Sequence, residues 1–144
     1  MVHTMKTITR ENKVEEFHKA MGTDVDSQPR ASLLRLREKL LVEECTEVVA
    51  ELQTMQMELE RGKPITNEQW AKLLKELCDL QYVLSGTVVS FNALNGSFNP
   101  AFNRVHSSNM SKLNDEGKPV LNKNGKVTKG PNYKAPNLED LIQC

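Results

Sequence analysis

The chain contains two long stretches in which apolar residues recur every three or four positions, and this periodicity limits it to a helical architecture. The first stretch runs from about Ala31 to Arg61, and the second from Thr66 to about Leu94. Apolar residues at this spacing share one face of an α-helix, which is stable only when it packs against other elements. Aromatic residues make up only 5% of the 144 residues, which also favours helices over a β-sandwich. We therefore predict an all-α fold.

Two shorter helices and a polar tail complete the predicted fold. One helix is predicted over residues 10–21 and another over residues 99–113, where an asparagine cap precedes a proline. After this point the composition becomes polar and rich in lysine, and Asn124-Gly125 predicts the turn of a β-hairpin. We expect one domain, residues 1–144, with a four-helix bundle-like core and a polar, hairpin-containing C-terminal tail over residues 114–144.

The most informative motif is a run of acidic residues on the second helix, Glu43-Glu44-Cys45-Thr46-Glu47. Because a helix turns by about 100° per residue, Glu43, Glu44 and Glu47 crowd one surface, and Glu44 is in register with the apolar stripe. An ionised carboxylate on a buried stripe is costly unless it is paired or bound to a metal. The motif therefore predicts a cation site, with a solvated helix face as the alternative.

A second acidic pair, Glu76 and Asp79, lies on the third helix with the spacing of one turn. If the second and third helices pack side by side, the two acidic sets face each other. Carboxylate oxygens suit Mg²⁺ or Mn²⁺, and two such ions would support in-line displacement at phosphorus. The alternative is a ladder of ion pairs, to which Lys39, Lys72 and Lys75 would contribute.

Charge is balanced overall but segregated along the chain. The 19 basic and 19 acidic residues cancel, which argues against a general nucleic-acid binder. Residues 38–79 hold ten acids and five bases, whereas residues 104–134 hold seven bases and two acids. An acidic cluster combined with a basic tail suits a polyphosphate substrate, although a solvated lysine-rich tail is the alternative.

Several protein classes are disfavoured by simple features of the sequence. No apolar run approaches the roughly 18 residues of a membrane span, and the N-terminus lacks the apolar stretch of a secretion signal. The three cysteines form no Cys-x-x-Cys pair, which excludes a disulfide scaffold and a structural zinc site. We expect a cytoplasmic protein in which Cys45 and Cys78 are small buried packing residues.

Glu43-Glu44-x-x-Glu47, followed about thirty residues later by Glu76-x-x-Asp79, resembles the metal motif of the all-α nucleoside triphosphate pyrophosphohydrolases. That superfamily includes MazG-like enzymes, dimeric dUTPases and phosphoribosyl-ATP pyrophosphohydrolase. Residues 104–112 and 125–136 are similar to the phosphate-side segments of its MazG-like and phosphoribosyl-ATP-like members. The resemblance extends over roughly residues 10–142.

The resemblance implies a helical bundle that forms a dimer or a dimer of dimers and hydrolyses a nucleoside triphosphate to the monophosphate and pyrophosphate with Mg²⁺. By position the resemblance assigns five metal ligands: Glu43, Glu44, Glu47, Glu76 and Asp79. Of these, Glu44 and Glu47 are also the catalytic candidates. Glu44 is our choice for the group that orients or deprotonates the attacking water. Four residues are expected to contact phosphates: Asn109, Lys112, Lys129 and Tyr133.

The substrate stays open at this stage. A (deoxy)nucleoside triphosphate is the leading hypothesis, with dUTP or dGTP as candidates, and phosphoribosyl-ATP is the alternative. Phe17 and His18 are candidates for base binding, although Phe17 also fits the core and His18 also fits the surface. A non-catalytic helical interaction module is a further alternative. A di-iron bundle needs two Glu-x-x-His pairs, and this sequence supplies only one. No membrane or nucleic-acid polymer is expected as a partner.

Overall fold

The computed structural model describes residues 7–143, which form four α-helices and one short 3₁₀ helix. The helices are α1 (Arg10–Met21), α2 (Ala31–Glu60), α3 (Asn67–Ser90) and α4 (Phe98–Met110), and the 3₁₀ helix covers Glu139–Leu141. Within residues 7–143 β-pairing is limited to three isolated bridges. The prediction of an all-α fold is confirmed.

The chain divides into two compact units, Met1–Asn92 and Ala93–Cys144. The first holds α1, α2 and α3, and the second holds α4, the polar tail and the 3₁₀ helix. We describe each unit by itself, and the expectation of one domain stays a prediction. In the described part of the chain, no helix is long and apolar enough to cross a lipid bilayer.

The helices of the first unit begin and end close to the predicted residues, with one exception. Thr66 and Gln69 form the predicted capping box at the start of α3, and Gly22 ends α1 in the left-handed conformation with φ +69°. The exception is the end of α3, which we expected near Leu94 and which lies at Ser90. There Ser27 donates to the Ser90 carbonyl and accepts from the backbone of Asn92. This pairing with a distant loop draws the backbone out of the helix.

The core of the first unit lies where α3 packs against both α1 and α2. Val48 and Met55 of α2 and Leu73 of α3 form its apolar centre. More buried residues belong to α3 than to any other described helix, as its broad apolar surface predicted. Because α2 and α3 run side by side, their acidic motifs are brought to one place.

A buried polar contact joins the three helices at Gly86. Arg37 of α2 donates from Nη2 to the Val83 carbonyl at 2.8 Å and from Nε to the Thr87 hydroxyl at 3.2 Å. Burial lowers the pKa of this guanidinium. A Cβ at position 86 would lie 2.6 Å from Arg37 Nη2 and 3.0 Å from His18 Nε2. This glycine, four residues before the end of α3, is therefore required for the close approach of α1 and α2.

The second unit contains two tight turns of the same construction. In each turn an asparagine side chain, Asn114 or Asn122, accepts two backbone N–H groups, and a glycine three residues later adopts a positive φ. Single antiparallel bridges flank them, Leu113 with Pro119 and Leu121 with Val127. The second turn confirms the predicted hairpin turn. The first was not predicted, although Leu-Asn-x-x-Gly-Lys occurs at both positions in the sequence.

The helical boundaries of the second unit differ from the prediction. The fourth helix begins at Phe98, directly after Ser97, and ends at Met110 rather than near residue 113. The Ser97 hydroxyl donates to the Leu141 carbonyl at 2.7 Å and caps no backbone group of the helix. The Asn137 side chain accepts from the Glu139 amide at 3.2 Å and introduces the 3₁₀ helix, which is shorter than the helix we expected.

Candidate functional site

Three carboxylates from two neighbouring helices meet in the first unit. Glu44 and Glu47 lie one turn apart on α2, and Glu76 lies opposite them on α3. One oxygen of each lies within 4.8 Å of the others. We call these three residues the carboxylate cluster. The sequence motif thus places three of the five predicted ligands together.

The carboxylate cluster is partly withdrawn from solvent. Glu76 is only 8% exposed, Glu44 is half-buried and Glu47 is exposed. Within residues 7–143, Oε2 of Glu44 and Oε2 of Glu76 are buried and have no hydrogen-bond partner. Unpartnered buried carboxylate oxygens are costly, and like charges close together add to that cost. Three carboxylates that converge, two of them with an unpartnered buried oxygen, fit a hard divalent cation such as Mg²⁺ or Mn²⁺.

Asp79 lies beside the carboxylate cluster but is paired with a lysine. Its Oδ2 is 2.6 Å from Nζ of Lys75, and the same ammonium lies 3.6 Å from Oε1 of Glu76. These contacts, chiefly the one with Asp79, raise the pKa of Lys75. The lysine therefore offsets part of the negative charge. A ligand role for Asp79 stays a prediction and would require this ion pair to open.

Glu43 is not brought into the carboxylate cluster. Its side chain is 53% exposed and lies 3.9 Å from Nζ of Lys39 on the preceding turn. Further along α2, Glu51 pairs with Lys72 of α3 at 2.5 Å, which raises the pKa of that lysine. The ion-pair ladder considered from the sequence therefore exists, but it flanks the cluster and leaves Glu44 and Glu47 outside it.

The four predicted phosphate contacts all lie in the second unit. Asn109 is exposed in the last turn of α4, and Lys112 lies two residues beyond the end of the helix at Met110. Lys129 places its Nζ 4.7 Å from the centre of the Tyr133 ring, a cation–π contact. A Cβ on Gly130 would lie 2.6 Å from the Lys112 carbonyl oxygen. The close backbone approach at Gly130 thus brings Lys112 to the segment that carries Lys129 and Tyr133.

The two candidates for base binding, Phe17 and His18, lie in environments opposite to those of the alternatives drawn from the sequence. His18 is buried, and its Nδ1 donates to the Asp24 carbonyl oxygen at 2.8 Å. Phe17 is 43% exposed and makes an edge-to-face contact with Tyr82 at 5.4 Å between ring centres. The alternatives of a surface histidine and a core phenylalanine were therefore wrong. Base binding by either residue stays a prediction, and of the two rings the phenyl ring of Phe17 is the accessible one.

Both described cysteines are exposed, which corrects the expectation that they are buried packing residues. Cys45 lies one residue after Glu44, and Cys78 lies two residues after Glu76. This offset turns both thiols away from the interface between α2 and α3.

Sequence analysis also missed the buried Arg37 and the two glycines at close backbone contacts, Gly86 and Gly130. A glycine inside a helix costs about 1 kcal/mol relative to alanine, so Gly86 was a readable signal of close packing.

Comparison with known proteins agrees with this geometry. A family model described as phosphoribosyl-ATP pyrophosphohydrolase matches residues 14–109, which is more than half of the chain. The matched range contains all of α2 and α3 and therefore the whole carboxylate cluster. A search of curated proteins found no match. The chain belongs to the phosphoribosyl-ATP pyrophosphohydrolase family, whose members are hydrolases of phosphoric anhydride bonds within the all-α, MazG-like nucleoside triphosphate pyrophosphohydrolases.

Proposed function

We propose that the chain is a divalent-metal-dependent pyrophosphohydrolase that cleaves phosphoribosyl-ATP, or a close chemical relative, into pyrophosphate and the corresponding monophosphate. The carboxylate cluster carries this proposal, because two of its buried oxygens have no partner in the described chain and suit a cation. The family match supports phosphoribosyl-ATP as the substrate in preference to the free nucleoside triphosphates that the sequence analysis placed first.

The reaction requires a water oxygen to bond to the α-phosphorus while the anhydride bond between the α- and β-phosphates breaks. A divalent cation would supply positive charge to the phosphate oxygens as pyrophosphate leaves. Glu44 is the residue we propose as acceptor of the water proton, because its Oε2 is sheltered and has no partner within residues 7–143. Glu47 and Glu76 would hold the cation, with Mg²⁺ as the expected ion and Mn²⁺ as a substitute.

Phosphate binding by the lysines of the second unit stays a prediction from the family resemblance. Lys112 and Lys129 are candidates for the pyrophosphate group, with Asn109 as an additional donor. The ring of Tyr133 would hold Lys129 in place through their cation–π contact. Gly130→Ala tests this arrangement, because the added Cβ would push against the Lys112 carbonyl. We expect a higher KM and a nearly unchanged kcat.

We also propose that the chain assembles with itself. Large apolar side chains are exposed along α2 and α3, and burying them against a second copy of the chain would be favourable. The most exposed are Val42 at 60%, Leu59 at 60%, Trp70 at 55% and Leu74 at 63%. Sedimentation equilibrium measures the assembly directly, and a monomer at micromolar concentration would contradict this proposal.

A product analysis tests the function. Phosphoribosyl-ATP, ATP, dUTP and dGTP are incubated separately with the protein and Mg²⁺, and the products are separated. We expect pyrophosphate from phosphoribosyl-ATP at the highest kcat/KM. Orthophosphate as the first product would contradict the reaction, whereas preferred cleavage of dUTP or dGTP would contradict only the substrate.

Two variants separate the carboxylate cluster from general charge effects. Glu47→Gln should reduce kcat by more than about a hundredfold, since the loss of groups that merely support metal ligands already costs 10–100-fold. Glu38→Gln is the matched control, because Glu38 is an exposed glutamate on the same helix outside the cluster. An active Glu47→Gln protein would remove Glu47 from the site.

A further inference from the structure

The first unit contains a cavity between α1 and α3 that the proposed reaction does not use. Its volume is about 330 Å³, at the lower end of the range of about 300–1,000 Å³ for small-molecule sites. We call it the α1–α3 cavity. It is lined by eight residues from the two helices: Arg10, Lys13, Val14, Leu77, Cys78, Gln81, Tyr82 and Ser85.

The α1–α3 cavity lies on the opposite side of α3 from the carboxylate cluster. Glu76 faces α2, where it meets Glu44 and Glu47. Ser85 follows Glu76 by nine residues, which at about 100° per residue places it half a turn around the helix. The body of a helix, about 10 Å across, therefore separates the two places. A ligand in the cavity would not share the carboxylates.

The inner wall of the cavity suits a flat ring with an amino group. Val14, Leu77 and the ring of Tyr82 supply apolar surface. Gln81 donates from Nε2 to the Ser85 hydroxyl at 2.9 Å, and this hydroxyl donates to Oε1 of Glu11 at 3.0 Å. These bonds orient the carboxamide and leave its oxygen as an acceptor. Glutamine pairs with adenine by accepting from the exocyclic amino group while it donates to a ring nitrogen.

The mouth of the cavity suits a phosphate. Arg10 and Lys13 occupy the first turns of α1, and both are exposed. Neither has an ion-pair partner in the part of the chain that the structure describes. The N-terminal end of a helix adds positive potential to the two cations. A phosphate would form charge-assisted hydrogen bonds with both side chains.

We propose that the α1–α3 cavity binds an adenine nucleoside monophosphate at a site separate from the carboxylate cluster. The apolar wall takes the ring, Gln81 reads its amino group, and Arg10 and Lys13 hold the phosphate. This binding needs neither a divalent cation nor hydrolysis, so it stands or falls independently of the proposed enzymatic activity.

Cys78 supplies a direct probe, because its thiol is exposed and lines the cavity, whereas Cys45 is exposed on α2 away from it. The experiment uses the full chain with Cys144→Ser, in EDTA, and measures the alkylation rate of each cysteine by mass spectrometry as adenosine 5′-monophosphate is added. At a nucleotide concentration ten times Kd, Cys78 should react about tenfold more slowly, because about nine-tenths of the sites are occupied. The rate at Cys45 should not change.

Two comparisons test the recognition. Lys13→Ala should weaken the binding of adenosine monophosphate by about tenfold, as expected for the loss of one charge-assisted hydrogen bond. The control Lys19→Ala removes a lysine that pairs with Glu15 at 3.3 Å on the same helix, and it should bind normally. Purine riboside monophosphate, which lacks the amino group, should also bind about tenfold more weakly.

Three results would overturn the proposal. The first is alkylation of Cys78 that adenosine monophosphate does not slow, or slows equally at both cysteines. The second is a Lys19→Ala variant that loses as much affinity as Lys13→Ala. The third is a Glu47→Gln variant that loses as much affinity for adenosine monophosphate as Lys13→Ala, which would make the cavity part of the substrate site.

Discussion

Replacing Glu76 with glutamine should stabilise the metal-free protein and remove its stabilisation by Mg²⁺. Glu76 is 8% exposed, and its carboxylate lies within 4.8 Å of those of Glu44 and Glu47. Two unit charges at that separation repel each other by about 3.5 kcal/mol at an effective dielectric constant of about 20. Glu47 is exposed and can turn toward water, so we count only the repulsion from Glu44 in full.

Lys75, whose Nζ lies 3.6 Å from Oε1 of Glu76, offsets part of this repulsion. The lysine is 64% exposed, so solvent screening weakens its contribution. The net expectation is that Glu76→Gln gains about 1–3 kcal/mol of stability in EDTA. The wild-type chain should gain about 2.7 kcal/mol from Mg²⁺ at a hundredfold excess over Kd, which is roughly 10 °C in Tm for a domain of this size.

Thermal unfolding in EDTA and in saturating Mg²⁺ measures both quantities. Glu38→Gln is the control, since it removes an exposed carboxylate from α2 without touching the carboxylate cluster. We expect the control to behave as the wild type in both buffers. A Glu76→Gln protein that is less stable in EDTA and still gains stability from Mg²⁺ would refute the reasoning. A wild-type chain indifferent to Mg²⁺ would favour the non-catalytic interaction module.

Two further predictions concern the packing of the first unit. Gly86→Ala should lower stability by about 1–3 kcal/mol in urea unfolding, because its Cβ would lie 2.6 Å from Arg37 Nη2. Asp24→Asn should alter the pH dependence of stability: hydrogen bonds from Arg30 and then Ser27 lower the Asp24 pKa from 3.8 to about 2. Since the folded pKa is depressed, this stabilisation is complete above about pH 4 and is lost as the pH falls toward 2.

Each of these predictions has a clear contrary result. An alanine inside a helix normally adds about 1 kcal/mol relative to glycine, so a more stable Gly86→Ala protein would mean that no close approach exists there. The Asp24→Asn variant should lie below the wild type at pH 6 and approach it near pH 2. Parallel stability curves over that range would show that the ion pair with Arg30 contributes nothing to folding.

Local signals in the sequence determined the helices. The capping box at Thr66, the glycine after α1 and the apolar spacing of α2 act over a few residues, so their outcome is readable without knowing the fold. The predicted helix boundaries were wrong where a distant segment of the chain contacts the helix end. Ser27 pairs with the end of α3, and no short-range pattern announces a partner more than sixty residues away.

The acidic motifs are an intermediate case. Their spacing predicted that carboxylates of two helices would meet, and Glu44, Glu47 and Glu76 do so. The sequence could not tell which acids would join, because Glu43 and Asp79 are also acidic and each lies within one turn of a cluster member on its own helix. The angular position of each side chain around its helix and the nearby lysines decide this. Lys39 pairs with Glu43, and Lys75 pairs with Asp79.

The amino-acid sequence by itself determined the helical class, the family motif and the positions of the acidic residues along the helices. Tertiary structure decided the environment of each side chain. His18 is buried and Phe17 exposed, Cys45 and Cys78 face solvent, and Gly86 is a contact point. Helix formation depends on neighbours within one or two turns, whereas burial depends on which faces meet after the helices pack, and residues far apart in the sequence set that arrangement.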